Sequence, residues 1–224
     1  MPSLYPNRPN ADMDAILQFY LNPRNHLFDQ TVEFFKLCLI PMTLAIIIGV
    51  IIGLLVYRNP LLSFIAVNLS NLIRAVPVLA ALFIFVPIFR IGFLPAAVAL
   101  TLLGIPPVLL NTYVGLRGVD PAAIDAARGM GMTNWQIMAR IRAPLVLPVL
   151  AAGVRTSAVQ IVATAPLGGL IGAGGFGDYI IDGVNTLNTT EILAGSILVA
   201  ALALVAEVGL SWVERRLTPA GLRV

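Results

Sequence analysis

Long apolar stretches separated by short polar ones dominate this chain of 224 residues. A helix needs about 20 apolar residues to cross the roughly 30 Å hydrocarbon layer of a membrane. The clearest such stretch runs from Leu37 to Tyr57, contains no charged residue and lies between Lys36 and Arg58. We predict that it is the first membrane-spanning helix, with the Tyr57 ring at the lipid interface.

Four further apolar stretches complete the predicted bundle. The second ends at Phe89, and because its uninterrupted apolar part is short, we expect one helix that extends back past Arg74. Pro166 predicts a break in the fourth stretch, and the prolines of the third predict kinks that neighbouring helices must accommodate. The third, fourth and fifth stretches run from Gly92 to Tyr113, from about Leu145 to Ile171 and from Ile192 to Val213. The pattern predicts an all-α, polytopic membrane protein with about five transmembrane helices.

Composition supports this class. Hydrophobic residues make up 58% of the chain and charged residues 11%, with a mean hydropathy of +0.92. A single soluble domain of this length could not bury so much apolar surface, so lipid must cover the rest. The net charge of +3 comes from arginines in loops, so it does not indicate nucleic-acid binding.

The arginines also predict the orientation, because short loops rich in Lys and Arg stay in the cytosol. The loop between the third and fourth helices and the C-terminus hold Arg117, Arg128, Arg140, Arg142, Arg215, Arg216 and Arg223. The loop between the fourth and fifth helices carries only acidic charges. We therefore expect the N-terminus outside and the C-terminus in the cytosol.

The arginine-rich loop has its own helix signals. Asp120 followed by Pro121 is a favoured helix start, the glycines at 129 and 131 interrupt that helix, and Thr133 can cap a second helix toward Pro144. We predict two short cytosolic helices around a glycine turn. Small residues at 126, 127 and 131 would allow another protein's backbone to approach, and Trp135 offers an apolar contact.

This loop resembles the coupling loop of bacterial ABC importer permeases, whose usual form is Glu-Ala-Ala, x3, Gly, x9, Ile-x-Leu-Pro. The matching residues are Asp125-Ala126-Ala127, Gly131, Ile141 and Ala143-Pro144. The spacing agrees throughout, while Asp125 replaces Glu and Ala143 replaces Leu. The resemblance implies that the loop 120–144 contacts an ATPase, with contacts at Asp125, Ala126, Ala127, Gly131, Met132, Trp135, Ile141 and Pro144.

The resemblance extends over about residues 31–213 and is greatest to permeases for osmoprotectants. It includes Ile73–Pro77, Asn111–Tyr113, Gly115–Pro121, Gly153–Thr156 and Gly172–Asp178. It implies a transmembrane domain over 31–213, an extracytoplasmic segment over 1–30 and a cytosolic tail over 214–224. The implied solutes are glycine betaine, carnitine, choline or proline betaine. Methionine permeases share several of these elements, so methionine or another amino acid is the alternative.

The family works by alternating access. The resemblance therefore implies a separate ATPase dimer that binds ATP and Mg, an extracytoplasmic solute-binding protein and a second permease subunit, identical or different. It implies a chain in the bacterial inner membrane that binds no cofactor and catalyses no reaction. The sequence itself has no Walker lysine motif, and its run of glycines from Gly172 to Gly177 follows no strand, so neither nucleotide motif is present. A channel, a secondary transporter or a scaffold are the rival classes.

Five residues are candidates for the solute pathway: Arg74, Pro77, Tyr113, Arg155 and Phe176. Charges at membrane depth are costly and face water, a partner or the interface, so the two arginines are either pathway residues or structural ones. A pair between Glu207 and either arginine is one structural alternative. The aromatic rings are candidates for a quaternary ammonium ligand, because such cations bind to aromatic faces.

Overall fold

The structure, a computed structural model, describes residues 9–217, with side chains from residue 13 to residue 216. The predicted segments 1–30 and 214–224 therefore lie partly outside the described residues. Within that range every regular element is helical, which confirms the all-α prediction. The α-helices are α1 (Pro9–Leu21), α2 (Leu27–Val56), α3 (Pro60–Ala75), α4 (Val78–Phe89), α5 (Phe93–Arg117), α6 (Pro121–Gly129), α7 (Asn134–Ile137), α8 (Ala143–Thr164), α9 (Phe176–Thr186) and α10 (Thr189–Leu217).

Helices α2, α5, α8 and α10 belong to segments long and apolar enough to cross a membrane. The pair α3 and α4 makes a fifth such segment if it is counted as one span. This agrees with the predicted number of about five. The predicted break in the fourth span is confirmed, since α8 gives way to a 3₁₀ helix over Ala165–Ile171, with Pro166 in its first turn.

The prediction of one straight helix for the second span was wrong. Helix α3 ends at Ala75, α4 begins at Val78, and the two helices bend by 94° at the break. The cause is Pro77, because a proline ring disfavours helical backbone in the preceding residue and provides no N–H for a helix. Val76 is accordingly extended, with φ −70° and ψ 123°. Arg74 lies in the last turn of α3, next to the bend.

Helix α5 is the centre of the bundle and packs against both α2 and α8. Of its apolar window, 67% is buried inside the chain, compared with 11% for α10. It runs without interruption through its prolines at 95, 106 and 107. Toward α8, the fully buried Ser157 hydroxyl donates a 2.9 Å hydrogen bond to the carbonyl of Gly104. The helices most suited to face lipid therefore surround a central helix that lipid hardly reaches.

Contact between α2 and α5 depends on small residues. Ala45, Gly49 and Gly53 recur every four residues, so they share one face of α2. A Cβ added to Gly49 would lie 2.8 Å from the Cβ of Val108, and one added to Gly53 would lie 2.7 Å from the Cβ of Thr112. The two helices thus approach almost to backbone contact, which is how small residues hold helices together where there is no hydrophobic driving force.

One end of the bundle, which we call the far end, contains α1, the start of α2, the loop 172–175, α9 and the start of α10. The sequence predicted neither α1 nor α9, because both are too short to span a membrane. Tight glycine turns in the loop are confirmed, with φ values of +65° at Gly172, +83° at Gly174 and +84° at Gly175. Close backbone approach is confirmed as well, since a Cβ on Gly177 would lie 2.2 Å from the carbonyl oxygen of Pro166.

Candidate coupling site

The opposite end, the coupling end, contains α6, α7 and the adjoining ends of α2, α5 and α8. Helix α6 begins as predicted: the Asp120 carboxylate accepts a 2.9 Å hydrogen bond from the N–H of Ala122, and Pro121 is the first helical residue. The chain leaves α6 through Gly131, whose φ of +80° lies in the left-handed region that favours glycine. The N–H of Met132 donates to the carbonyl of Ala127 at 3.1 Å and closes the turn.

The second predicted helix differs from the expectation. Thr133 and Gln136 form a capping box that starts α7, as the sequence indicated. However, α7 continues through a π turn, Met138–Arg142, directly into α8, so it is not a separate short helix. Pro144 lies in the first turn of α8 and does not end a helix. At the junction, the N–H of Ala143 bonds to the carbonyl of Met138, the wide spacing of a π turn.

Beneath the loop lies an apolar cluster that fixes it to the bundle. Its buried members are Leu116, Val119, Ile124, Ala127, Ile137 and Val146. Met132 and Ile141 pack against this cluster and are partly buried. Ala127 is 0% exposed, so its side chain packs inside the chain, and its contact with an ATPase stays a prediction. The motif alanine faces inward, and the burial of a methyl group there holds α6 against the ends of α5 and α8.

The exposed side of the loop is a small apolar surface. Trp135 is 77% exposed and Met130 is 74% exposed. Between them, a Cβ added to Gly131 would meet nothing within 4 Å, and Ala126 is exposed as well. We call Ala126, Met130, Gly131 and Trp135 the docking face. Met130 was missed by sequence reasoning, although its place in the turn after Gly129 could have shown that it points outward.

Asp125 lies on a third side of α6. Its carboxylate is 3.4 Å from a guanidinium nitrogen of Arg128, and both side chains are largely exposed. An exposed pair of this kind contributes about 0–1 kcal/mol to stability. The acidic position of the motif is therefore next to the docking face, but its charge is already shared with a neighbour on the same helix.

The pathway candidates are not brought together in one place. Arg74 and Pro77 are exposed at the bend between α3 and α4. Tyr113 is half-buried near the coupling end, where its hydroxyl accepts a 2.9 Å hydrogen bond from Arg117. Phe176 is only 1% exposed and stacks on Phe34, with ring centroids 4.8 Å apart. Phe176 therefore packs in the far end, and its role in the solute pathway stays a prediction.

Arg155 links α8 to α10. One guanidinium nitrogen lies 3.7 Å from a carboxylate oxygen of Glu207 and 3.2 Å from one of Glu214. Of the two pairings left open for Glu207, the structure shows the one with Arg155. Such pairing is how a chain tolerates charge at membrane depth. Arg155 thus has a structural partner, whereas the described residues contain no carboxylate within ion-pair distance of Arg74.

The far end carries acidic groups in partly buried positions. Burial raises the pKa of Asp178, and the nearby carboxylates of Asp182 and Glu33 raise it further. Burial also raises the pKa of Tyr179 to about 12, with smaller contributions from Glu191, Asp178 and Asp29. Among the described residues, no three His, Cys, Asp or Glu side chains lie close enough together to hold a metal ion.

Comparison with known proteins agrees with this geometry. The profile of the family described as "Binding-protein-dependent transport system inner membrane component" matches residues 45–219. The carnitine transport permease protein OpuCB of Listeria monocytogenes is 40% identical over 211 residues, which cover 94% of this chain and 97% of that protein. The glycine betaine/carnitine/choline transport system permease protein OpuCB of Bacillus subtilis is 34% identical with the same coverage.

Solved structures give the same fold. An inward-facing structure of the MetNI methionine ABC transporter matches with a TM-score of 0.76 and 24% identity, covering 88% of this chain and 99% of that chain. The likeness covers most of the chain, so the helices described above form the fold of an ABC transporter permease. The chain therefore belongs to the family of inner membrane components of binding-protein-dependent transport systems, and it is the permease component of an ABC importer.

Proposed function

We propose that this permease imports osmoprotectants such as glycine betaine, carnitine, choline or proline betaine. The observation that carries the proposal is the 40% identity to a carnitine permease over 94% of the chain. Other relatives agree: a choline permease protein of Bacillus subtilis is 36% identical, and an osmoprotectant import permease protein of Salmonella typhimurium is 32% identical. Carnitine and choline, which the names of two of these relatives give, are small solutes that carry a quaternary ammonium group.

In this proposal a separate ATPase dimer binds the docking face and holds ATP and Mg, while the permease itself binds no cofactor. Two features support this placement. The exposed Trp135 and Met130 offer apolar area, and Gly131 leaves space above the backbone for a close contact. The buried cluster below fixes α6 to the ends of two spanning helices, so movement of the ATPase would be transmitted to the bundle.

The proposed topology puts the coupling end in the cytosol and the far end outside. The charge distribution supports it, since Arg117, Arg128 and Arg142 lie together at the coupling end and Glu33 and Asp178 lie together at the far end. A solute-binding protein would then deliver solute to the far end. A second permease subunit would complete the pathway; for Bacillus subtilis, both OpuCB and OpuCD are named as permease proteins of a glycine betaine/carnitine/choline system.

Uptake measurements test the substrate class. We expect cells that lack this chain to lose uptake of labelled glycine betaine at high osmolarity, with other betaine transporters removed. Unlabelled choline and carnitine should compete in cells that carry the chain, and methionine should not. Unchanged betaine uptake after deletion would overturn the osmoprotectant assignment.

A pair of substitutions at Gly131 tests the docking face. Gly131→Asp should leave membrane insertion intact and abolish uptake, because it puts a charge at a close protein contact. The backbone there has φ +80°, which strains most side chains but which Asp and Asn tolerate better than other residues. Gly131→Asn is therefore the matched control, with the same shape and no charge, and it should retain more uptake. Equal uptake by wild type and Gly131→Asp would contradict the docking face.

The alternative is a permease for methionine or another amino acid. The likeness to the MetNI methionine transporter favours it, although at 24% identity that likeness concerns the fold. Uptake competed by methionine and not by quaternary amines would support this alternative. The Gly131 pair gives the same outcome under either substrate, so the two experiments separate the docking proposal from the substrate proposal.

A further inference from the structure

A cleft of about 520 Å³ lies at the coupling end, on the side of α6 that carries Asp125 and Arg128. It is formed by the ends of α2 and α5, the side of α6, and α7 with the π turn that follows it. Four guanidinium groups and one carboxylate line it: Arg58, Arg117, Arg128, Arg142 and Asp125. We call it the arginine cleft, and none of the four residues of the docking face lines it.

Positive charge in this cleft is largely uncompensated. Asp125 pairs with Arg128 at 3.4 Å. In the part of the chain that the structure describes, no carboxylate lies within ion-pair distance of Arg58, Arg117 or Arg142. Three guanidinium groups therefore share one concave space without a counter-charge, an arrangement that attracts anions.

Arg142 gives a second, independent indication of a missing acceptor. Its guanidinium lies over the ring of Tyr57, 5.2 Å from the ring centroid, and its Nε is buried without a hydrogen-bond partner. Arg58 lies 5.3 Å from the centroid of the same ring and donates to the Tyr57 hydroxyl. The hydrogen bonds of the described residues include none from the terminal guanidinium nitrogens of Arg142, so an anion in the cleft would accept from those nitrogens.

The position of the cleft identifies the source of the anion. Tyr57 follows the last residue of α2, Arg117 is the last residue of α5, and Arg142 directly precedes α8. Ends of spanning helices lie at the level of the lipid headgroups, where basic pockets between helices bind anionic headgroups. The remaining lining is partly apolar, with Leu116, Val119, Ile124, Ile137 and Met138. Planar guanidinium groups also match the geometry of phosphate oxygens.

We propose that the arginine cleft binds the phosphate group of an anionic phospholipid. A bound phosphate would accept hydrogen bonds from the end of α2, through Arg58, and from the ends of α5 and α8, through Arg117 and Arg142. It would thereby join the coupling loop to helix α2 at the membrane surface. The lipid would act as a ligand of the permease, separately from its transported solute.

Lipid retention tests the proposal. The full chain is reconstituted in vesicles of equal parts phosphatidylglycerol and phosphatidylcholine, extracted in mild detergent, and its retained lipid is measured by native mass spectrometry. Wild type should retain phosphatidylglycerol preferentially. The double variant Arg117→Gln/Arg142→Gln should retain about tenfold less of it, because two charge-assisted hydrogen bonds are lost. Arg140→Gln, in the same loop but outside the cleft lining, is the matched control and should retain it.

A second arm distinguishes a lipid from a soluble phosphate. Inorganic phosphate is added to the delipidated chain and the thermal unfolding temperature is recorded. A rise that depends on Arg117 and Arg142, without any preference for phosphatidylglycerol, would overturn the lipid as the source. Equal phosphatidylglycerol retention by wild type, the double variant and Arg140→Gln would overturn the cleft itself.

A further variant keeps the test decisive if the double variant does not fold. Asp125→Asn removes the one carboxylate of the cleft lining, frees Arg128 and leaves all four arginines in place. Phosphatidylglycerol retention should then rise several-fold. Retention that stays the same or falls in Asp125→Asn would count against an anion site in this cleft.

Discussion

The two ends of the bundle are held together in different ways. At the far end, hydrogen bonds join residues far apart in the sequence: the Tyr20 hydroxyl donates to the carbonyl of Ala194 at 2.9 Å, and the N–H of Gly175 donates to the Gln30 side chain at 2.7 Å. The Tyr179 hydroxyl donates to the carbonyl of Asn25. At the coupling end, the hydrogen bonds of the described residues are local, as in the Asp120 cap and the Thr133 capping box.

The difference teaches where the molecule can move. Displacing α9 or α1 would break partly buried hydrogen bonds with fixed geometry, which is costly. Displacing α6 and α7 relative to α2 would change apolar contacts, which are individually weak and non-directional. The far end is therefore the more rigid of the two ends, and contacts at the coupling end can rearrange at a lower cost in free energy.

A matched pair of glycine substitutions should show the largest difference. Gly177→Ala at the far end puts a Cβ 2.2 Å from the carbonyl oxygen of Pro166, so backbone must shift. Gly129→Ala at the coupling end meets nothing within 4 Å. We expect Gly177→Ala to lower the free energy of unfolding by about 1–3 kcal/mol or more. Gly129→Ala should leave it unchanged or raise it slightly. Thermal unfolding in detergent measures both, and similar losses for the two would break the comparison.

A pair of tyrosine substitutions should give the next largest effect. Tyr179→Phe removes a hydrogen bond between distant segments and leaves the carbonyl of Asn25 without that donor, at a cost of about 1 kcal/mol. Tyr113→Phe removes only a contact with Arg117, one turn away and largely exposed, and should cost clearly less. Unfolding temperatures that fall equally in both variants would show that the far end owes nothing to its long-range bonds.

The pH dependence of Tyr179 sharpens the same point. Burial and nearby carboxylates disfavour the phenolate, so they raise the pKa of Tyr179 from its ordinary value of about 10 to about 12 in the folded chain. The contribution of the protonated Tyr179 hydroxyl to stability is therefore fully present below about pH 10 and is lost as the pH rises through 12. In that interval the free energy of unfolding of wild type should fall to that of Tyr179→Phe, as measured by unfolding at a series of pH values. A constant difference would argue that this phenol is not buried.

The smallest expected effect concerns carboxylates. Because burial, Asp182 and Glu33 raise the pKa of Asp178, its charge is unfavourable at neutral pH. Asp178→Asn should raise the unfolding temperature slightly at pH 7, and this gain should vanish as the pH falls and wild-type Asp178 becomes protonated. Asp125→Asn at the coupling end loses a partner and should gain nothing. A loss of stability at pH 7 in Asp178→Asn would contradict the prediction.

Local features of this fold were predictable from the sequence. Asp120, Thr133 and the left-handed Gly131 follow from backbone preferences within a few residues, and all three behave as expected. The number of spans follows from length and hydropathy. The family resemblance followed from spacing in the coupling loop, which is a local pattern as well.

Tertiary features were not predictable in the same way. The inward direction of Ala127 depends on which side of α6 faces α5, and the burial of Phe176 depends on its contact with the distant Phe34. The bend before α4 could have been predicted, because Pro77 restricts Val76 directly. Hydropathy favoured one continuous span across this segment. The prediction followed hydropathy, although the local signal from Pro77 was the correct one.

The π turn between α7 and α8 determines the direction in which Trp135 of the docking face points around the axis of α8. A π turn contains one residue more than an α-helix needs, and each residue turns a helix by about 100°. Removing one residue from Met138–Arg142 would therefore convert the junction to regular α-helix and swing Trp135 about a quarter of a turn around the axis of α8. The extra residue acts as an angular offset, so a single residue of the chain sets the direction in which Trp135 faces.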